Sequence, residues 1–291
     1  MSDNTRSYLL ALLAVFFWST IATAFKIALA ELGPAQLLFT ASATAVLVLL
    51  IISAVEGKLN TVLKTDRQGL FMSALLGLIN PFVYYLVLLK AYTLLPAQVA
   101  QPLNMIWPIV LVFLSVPMLG QKIPLRSFIA LFISFAGVYL VSSQGRPLNP
   151  GKSDWLGVIL ATGSSIFWAL YFILNLKDRR DESSKLLLNF IISTVYIAIY
   201  LAFTGGFEGF STRGLLAGIY TGIFEMGLTF YVWLKALKLA KTSDKISNLV
   251  FLAPFLSLVF ISAILGEHIY YTTFAGLVLI VGSILFQKLG K

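Results

Sequence analysis

Glu225 is the one acidic residue in the middle of an apolar stretch of this chain. A carboxylate in hydrocarbon costs on the order of 3 kcal/mol unless it is protonated or paired. Three roles fit such a group. It can hold the ammonium of a ligand, carry a coupling proton, or sit protonated in a hydrogen bond to a neighbouring helix. Gly218, Thr221, Gly222 and Thr229 share its helical face, a small and polar stripe that belongs against protein or water. The corresponding position in the first half of the chain is Asn80, whose own stripe carries Ser73, Gly77 and Tyr84.

A second group is aromatic: Trp18, Trp107 and Trp168, with Tyr84, Tyr85 and Tyr171. Ring faces bind apolar side chains and attract cations, so these residues make a candidate lining for a binding cavity; the alternative is ordinary helix packing. Ser164, Trp168, Tyr171 and Asn175 fall on one helical face. Gln101 and Asn104, three residues apart, suit a carboxylate or amide of a substrate. They are equally able to satisfy backbone carbonyls that Pro102 and Pro108 leave without donors. Lys26 reads as a snorkelling cation, Lys90 and Lys235 as boundary charges, and Glu267-His268 as a structural loop pair rather than a catalytic one.

These side chains need helices in a membrane to position them. The 291 residues are 59% hydrophobic and 11% charged, with a mean hydropathy of +0.91, far from a soluble domain. Hydropathy places ten spans at Tyr8–Ala30, Ala35–Val55, Gly69–Leu89, Pro96–Leu119, Arg126–Ser143, Trp155–Leu176, Leu186–Ala202, Gly214–Leu234, Ile246–Leu265 and Thr272–Phe286. The fourth is the most unusual. It holds Pro96, Pro102, Pro108 and Pro117, and broken helices persist in membranes only where they face protein or a water-filled space. Arg6, the apolar run after it and Ala22-Thr23-Ala24 imitate a signal peptide, but the segment has a full-length counterpart in the second half and is read as a span.

Lysines and arginines alternate between the connections. Arg6, Lys58, Lys64, Arg67, Lys122, Arg126, Lys177, Arg179, Arg180, Lys185, Lys235, Lys238, Lys241, Lys245, Lys288 and Lys291 fall on one side. Only Lys90, Arg146, Lys152 and Arg213 fall on the other. The positive-inside rule then puts both termini in the cytoplasm and the chain in the inner membrane. The net charge of +9 is therefore a topology signal, and nucleic acid is not an expected partner.

The chain also repeats itself. Phe17-Trp18-Ser19 answers to Phe167-Trp168-Ala169, Leu89-Lys90-Ala91 to Leu234-Lys235-Ala236, and Gly120-Gln121-Lys122-Ile123 to Gly266-Glu267-His268-Ile269. Two domains follow, residues 1–145 and 154–291, joined by an external linker at 146–153. Each carries five spans, so the halves face opposite ways. The expected fold is an all-α polytopic membrane protein of ten transmembrane helices in two inverted five-helix repeats. Such repeats mark secondary transporters, with substrate bound between the halves near the midplane.

Both halves resemble EamA-type domains of the drug/metabolite transporter superfamily. The likeness lies in an aromatic-rich third span, a Lys-Ala turn, a proline-bearing fourth span, then Gly-Glu or Gly-Gln and a glycine-bearing fifth span. Phe17-Trp18-Ser19-Thr20, Asn104-Met105-Ile106-Trp107-Pro108 and Gly120-Gln121-Lys122 resemble the aromatic amino-acid exporter branch. The family glutamate stands at Glu267 but is Gln121 in the first half. The resemblance implies export of small metabolites, above all aromatic or large apolar amino acids, by alternating access. Trp18, Asn80, Tyr84, Gln101, Asn104, Trp107, Trp168, Tyr171 and Glu225 would bind the substrate, with Glu225 as the coupling group.

A carrier of organic cations (choline-like, polyamine or quaternary ammonium) is the alternative, since a carboxylate beside an aromatic cage suits a cation. A membrane-embedded enzyme and a passive channel are more remote, because bent helices and inverted repeats suit alternation better than conduction. With no cysteine, one histidine, and no G-x-S-x-G, H-E-x-x-H or Walker motif, no catalytic residue, cofactor or metal is expected. Transport must then draw on a gradient or on exchange. The expected partners are a small-molecule substrate and membrane lipid, and the oligomeric state is left open.

Overall fold

Long apolar runs in lipid must pair their backbone groups internally, and every regular element among the described residues is helical, with no strand. The structure, a computed structural model, describes residues 3–120, 125–148, 153–204, 206–239 and 249–288. The expectations for Gln121, Lys122, Lys152, Lys241, Lys245, Lys291, half of the linker and the start of the ninth span fall outside them.

Among the described residues eight helices are long and apolar enough to cross a membrane, and two shorter apolar ones, Leu249–Leu265 and Tyr271–Gln287, bring the number to the ten expected. In chain order the elements are α1 (Asp3–Leu29), α2 (Pro34–Val55), the short α3 (Leu59–Leu63), α4 (Arg67–Gly77), α5 (Tyr84–Leu94), α6 (Ala97–Asn104) and α7 (Trp107–Leu119). Then come α8 (Leu125–Ser142), α9 (Trp155–Lys177), α10 (Glu182–Thr204), α11 (Thr212–Thr221), α12 (Leu228–Leu239), α13 (Ala253–Leu265) and α14 (Tyr271–Lys288).

Four spans are interrupted. Between α4 and α5, Asn80 is extended at φ −148°, ψ 123°. Pro81 explains this, since it lacks an N–H and disfavours the helical region at the residue before it. At the corresponding point of the eighth span, Gly222–Gly227 forms a π turn, with the Thr229 hydroxyl donating to the Phe224 carbonyl at 2.5 Å. The fourth span breaks at Met105-Ile106, so Asn104 ends α6 and Trp107-Pro108 opens α7. The ninth has a 3₁₀ turn at Leu249–Leu252 before Ala253-Pro254 opens α13. Pro108 and Pro254 thus both stand in the first turn of a helix, where a missing N–H costs nothing.

Contacts divide the chain into two units that interleave in sequence. The first comprises Met1–Phe82 and Arg179–Phe260. Within it, α1 packs on α11 and α12, and α2 on α10, α11 and the π turn. Polar contacts fasten α1: Ser7 donates to the Ala236 carbonyl at 2.7 Å, and Thr20 meets the Tyr220 hydroxyl at 2.7 Å. Gly222 lets α2 approach, since a Cβ there would collide with the Ala41 carbonyl.

The second unit comprises Val83–Asp178 and Ile261–Lys291. Here α9 packs on α5, α6 and α7, and α8 pairs with α14. The α8–α14 crossing is closed by facing glycines. A Cβ on Gly137 would lie 2.7 Å from the Gly276 carbonyl, and one on Gly276 would lie 2.6 Å from that of Gly137. One layer away, Ser134 and Ser283 share a hydrogen bond of 2.6 Å. Small residues and hydroxyls holding two helices together are what lipid demands, because burying apolar side chains gains little there.

Candidate functional site

The second unit contains six of the nine candidate site residues from the sequence: Tyr84, Gln101, Asn104, Trp107, Trp168 and Tyr171. The break after Asn104 turns its side chain into the helix cluster rather than along its own helix. The Tyr84 hydroxyl donates to Asn104 Oδ1 at 3.1 Å, Asn104 Nδ2 donates to Ser164 Oγ at 2.7 Å, and Ser164 donates to the Ala161 carbonyl at 2.6 Å. Tyr84, Asn104 and Ser164 are all buried. The Asn104 side chain is thus turned to Tyr84 and Ser164 rather than to the carbonyls near Pro102 and Pro108. An asparagine side chain has two N–H donors and two acceptor lone pairs, so one of each remains beyond these bonds.

Aromatic rings surround this chain of hydrogen bonds. Trp168 lies 5.0 Å from Tyr84, 6.1 Å from Tyr171 and 6.3 Å from Trp107, and Trp107 lies 5.9 Å from Phe172. Trp107 and Trp168 are half-buried, while Tyr171 is buried. Gln101, one turn before Asn104, is half-buried and its Oε1 has no hydrogen-bond partner among the described residues. Indole faces beside a polar amide can hold an apolar or aromatic body by its surface and a polar group by its tip.

Trp18, Asn80 and Glu225 belong to the first unit and sit on three different spans. Trp18 packs on Trp233 at 5.3 Å and Phe230 at 6.0 Å. Asn80 is buried at the break in its span, and its Oδ1 has no partner. Glu225 stands in the π turn and is half-buried. The small residues expected on its face are buried: Gly218 and Gly222 against Thr40 and Ala41 of α2, with Thr221 and Thr229 beside them. Glu225 is less buried than these four, because a π turn widens the helix and shifts its register at that point.

Two polar features go beyond the sequence reasoning, which gave Glu267-His268 a structural role without naming its partner and did not single out the second. The first is the helix end opposite Glu267. Its carboxylate accepts from the backbone N–H groups of Ala97 at 2.9 Å and Gln98 at 3.2 Å, capping α6. Gln98 locks the same corner: Nε2 donates to the His268 carbonyl at 2.8 Å, and Oε1 accepts from Tyr270 N–H at 3.1 Å and the Thr273 hydroxyl at 3.2 Å. The second is an ionic cluster at the lysine-rich end of the first unit. Lys58 lies 2.8 Å from both Glu56 and Asp181, and the Ser183 hydroxyl sits between those carboxylates, 3.0 Å from Glu56 and 2.8 Å from Asp181.

Each group in that cluster titrates off its ordinary value. The hydrogen bond from Lys58 lowers Glu56, with Ser183 and Tyr231 adding to it. The hydrogen bond to Asp181 raises Lys58. For Asp181, burial works to raise the pKa, but Lys58, Ser183 and the Ser184 N–H outweigh it and hold the carboxyl well below the usual range. A local signal existed in Glu56-x-Lys58 and in the Asp181-Glu182-Ser183-Ser184 start of α10, a helix-capping pattern.

Known proteins share this architecture and sequence. A model of the EamA-like transporter family matches residues 5–143 and again 155–287. An uncharacterized transporter, YvbV, of Bacillus subtilis (strain 168) is 26% identical over 285 residues, covering 97% of this chain and 91% of its own. An uncharacterized transporter of Clostridium kluyveri is 26% identical over 298 residues, covering 98% and 94%. A solved crystal structure of a protein superposes with a TM-score of 0.70 at 18% identity, covering 98% of this chain and 97% of that one. The family model matches twice, once in each half, and the ten helices are those such a pair requires: this integral membrane protein belongs to the EamA-like transporter family.

Proposed function

We propose that this protein is a secondary-active carrier of amino acids with aromatic or large apolar side chains, exported by alternating access. The observation that carries the reading is the grouping of Trp107, Trp168, Tyr84 and Tyr171 around the Tyr84–Asn104–Ser164 hydrogen bonds. The indoles take the apolar side chain, and the spare N–H and lone pair of Asn104 take a polar group of the backbone end. Gln101 Oε1, which has no partner among the described residues, supplies an acceptor for an ammonium. Glu225 is assigned the coupling proton, as the one acidic residue in the middle of an apolar stretch, half-buried in the π turn. The interruptions at Asn80, Met105-Ile106, Gly222–Gly227 and Leu249–Leu252 are the bends that alternation uses. Both termini are assigned to the cytoplasm of a cell with this chain in its inner membrane, following the lysine and arginine asymmetry.

The test is competition. Uptake of labelled L-phenylalanine into proteoliposomes should be inhibited by L-tryptophan and L-leucine and not by choline or spermidine. Inhibition by choline and spermidine alone would move the cargo to organic cations, for which the same indole faces are suited.

A further inference from the structure

The ionic cluster borders a cavity of about 310 Å³ that lies wholly within the first unit and takes no part in the reading above. Small-molecule pockets begin at roughly 300 Å³, so the space fits a compact ligand. Its inner surface is apolar, formed by Leu49 of α2, Leu186 of α10 and Leu239 of α12, with Tyr231 as one wall.

The charges around it are arranged in two poles. One ammonium, Lys58, serves two carboxylates, Glu56 and Asp181, so that side carries a surplus negative charge. Glu182 is balanced by the buried Lys185 at 2.8 Å. Lys235, which also lines the cavity, stands over the Tyr231 ring, its ammonium 5.7 Å from the ring centre, and no carboxylate among the described residues pairs with it. Tyr231 links the two, with Lys235 over its ring and its side chain among the groups that lower the Glu56 carboxyl. A ligand with a single charge would satisfy one pole and be repelled by the other. A zwitterion with an apolar body satisfies both poles and covers the leucines.

We infer that this cavity is a docking site for a zwitterionic amino acid on the lysine-rich end of the carrier, with the carboxylate on Lys235, the ammonium toward Glu56 and the apolar side chain on Leu49, Leu186 and Leu239. The inference rests on the amino-acid reading and adds to it a second, peripheral site at which cargo is collected. Aminophospholipid headgroups share the paired charges, and the test separates the two sources.

The measurement is flux of labelled L-phenylalanine in proteoliposomes of phosphatidylcholine alone and of phosphatidylcholine with phosphatidylethanolamine. Lys235→Gln should raise the half-saturation concentration about 10-fold, the size of one charge-assisted hydrogen bond, in both vesicles and with the maximal rate unchanged. Lys235→Arg should restore it. Phenethylamine, a cation that lacks the carboxylate and is repelled by Lys235, should compete at least as well against Lys235→Gln as against the wild type. An unchanged half-saturation in Lys235→Gln, with wild-type flux present, overturns the docking site and leaves the carrier reading intact. An effect confined to vesicles containing phosphatidylethanolamine assigns the cavity to lipid and overturns it as well. Absence of phenylalanine flux in the wild type overturns the carrier reading, and the docking site with it.

Discussion

At the scale of single residues, Asn104 and Trp168 make opposite contributions to one site. Asn104 is fixed by a donor on one side and an acceptor on the other, so its amide orientation is set before any ligand arrives. Asn104→Ala leaves the Tyr84 hydroxyl without that acceptor and removes the spare amide groups. It should raise the half-saturation for L-phenylalanine by about 10-fold or more, against a smaller loss in thermal stability. Trp168 supplies ring surface, and Trp168→Ala should weaken large apolar substrates most. A phenylalanine-to-alanine preference that falls by roughly 10-fold would fit an aromatic wall; an equal loss for both would make Trp168 a packing residue. The sequence made these residues visible as types, an amide in a broken helix and tryptophans inside spans. It did not show that Ser164 would take the other half of the Asn104 amide, because that contact joins residues sixty positions apart whose pairing depends on how α6 and α9 pack.

At the scale of elements, the boundaries of the spans were legible and their interruptions only partly so. Hydropathy depends on local composition, and α2, α8 and α9 start and stop within a few residues of the expected limits. The break in the fourth span was readable from its prolines. The breaks at Asn80 and Gly222 were less so: Pro81 gave a signal for the first, whereas a π turn has no comparable sequence mark. Caps were the least visible, since Glu267 reaches α6 from a loop 170 residues away. Glu267→Ala should remove the acceptor for two helix N–H groups and a negative charge at a helix N-terminus. It should cost about 1–2 kcal/mol, read as a lower melting midpoint in detergent, with Glu267→Gln intermediate.

The start of α10 gives a prediction with pH. Asp181 is depressed, so its stabilising effect is complete above its ordinary value of 3.8 and disappears as pH falls through the lowered one. Lys58 is raised, so its effect is complete below 10.5 and is lost as pH climbs through the raised value. Hydrogen exchange of the Ser184 amide, corrected for its intrinsic rate, should therefore be protected evenly from about pH 5 to pH 10. Protection should weaken only toward the acid and alkaline ends. A step near neutral pH would show that some other group controls this corner.

At the scale of the whole molecule, sequence halves and contact units do not coincide. The family model matches each half separately, yet the units exchange segments at Phe82/Val83, Asp178/Arg179 and Phe260/Ile261. Two of those changeovers fall within spans, the third at the end of its interruption and the ninth inside α13. A repeat is defined by what the sequence copies and a unit by what packs together, so no pattern along the chain could have given the second from the first. The glycine-closed α8–α14 crossing offers a test at this level. Gly137→Leu should separate the helices and lower the yield of folded protein in membranes, whereas the same change at Gly163, which meets nothing within 4 Å, should be tolerated.

The account turns on gradient-driven amino-acid movement with Glu225 as its proton carrier. The most direct measurement is uptake of labelled L-phenylalanine into proteoliposomes with and without an imposed pH gradient, in wild type and in Glu225→Gln. The account predicts saturable wild-type flux that the gradient accelerates several-fold, and a mutant that still exchanges phenylalanine but no longer responds to the gradient. Wild-type flux whose response to the gradient is the same in Glu225→Gln would contradict it.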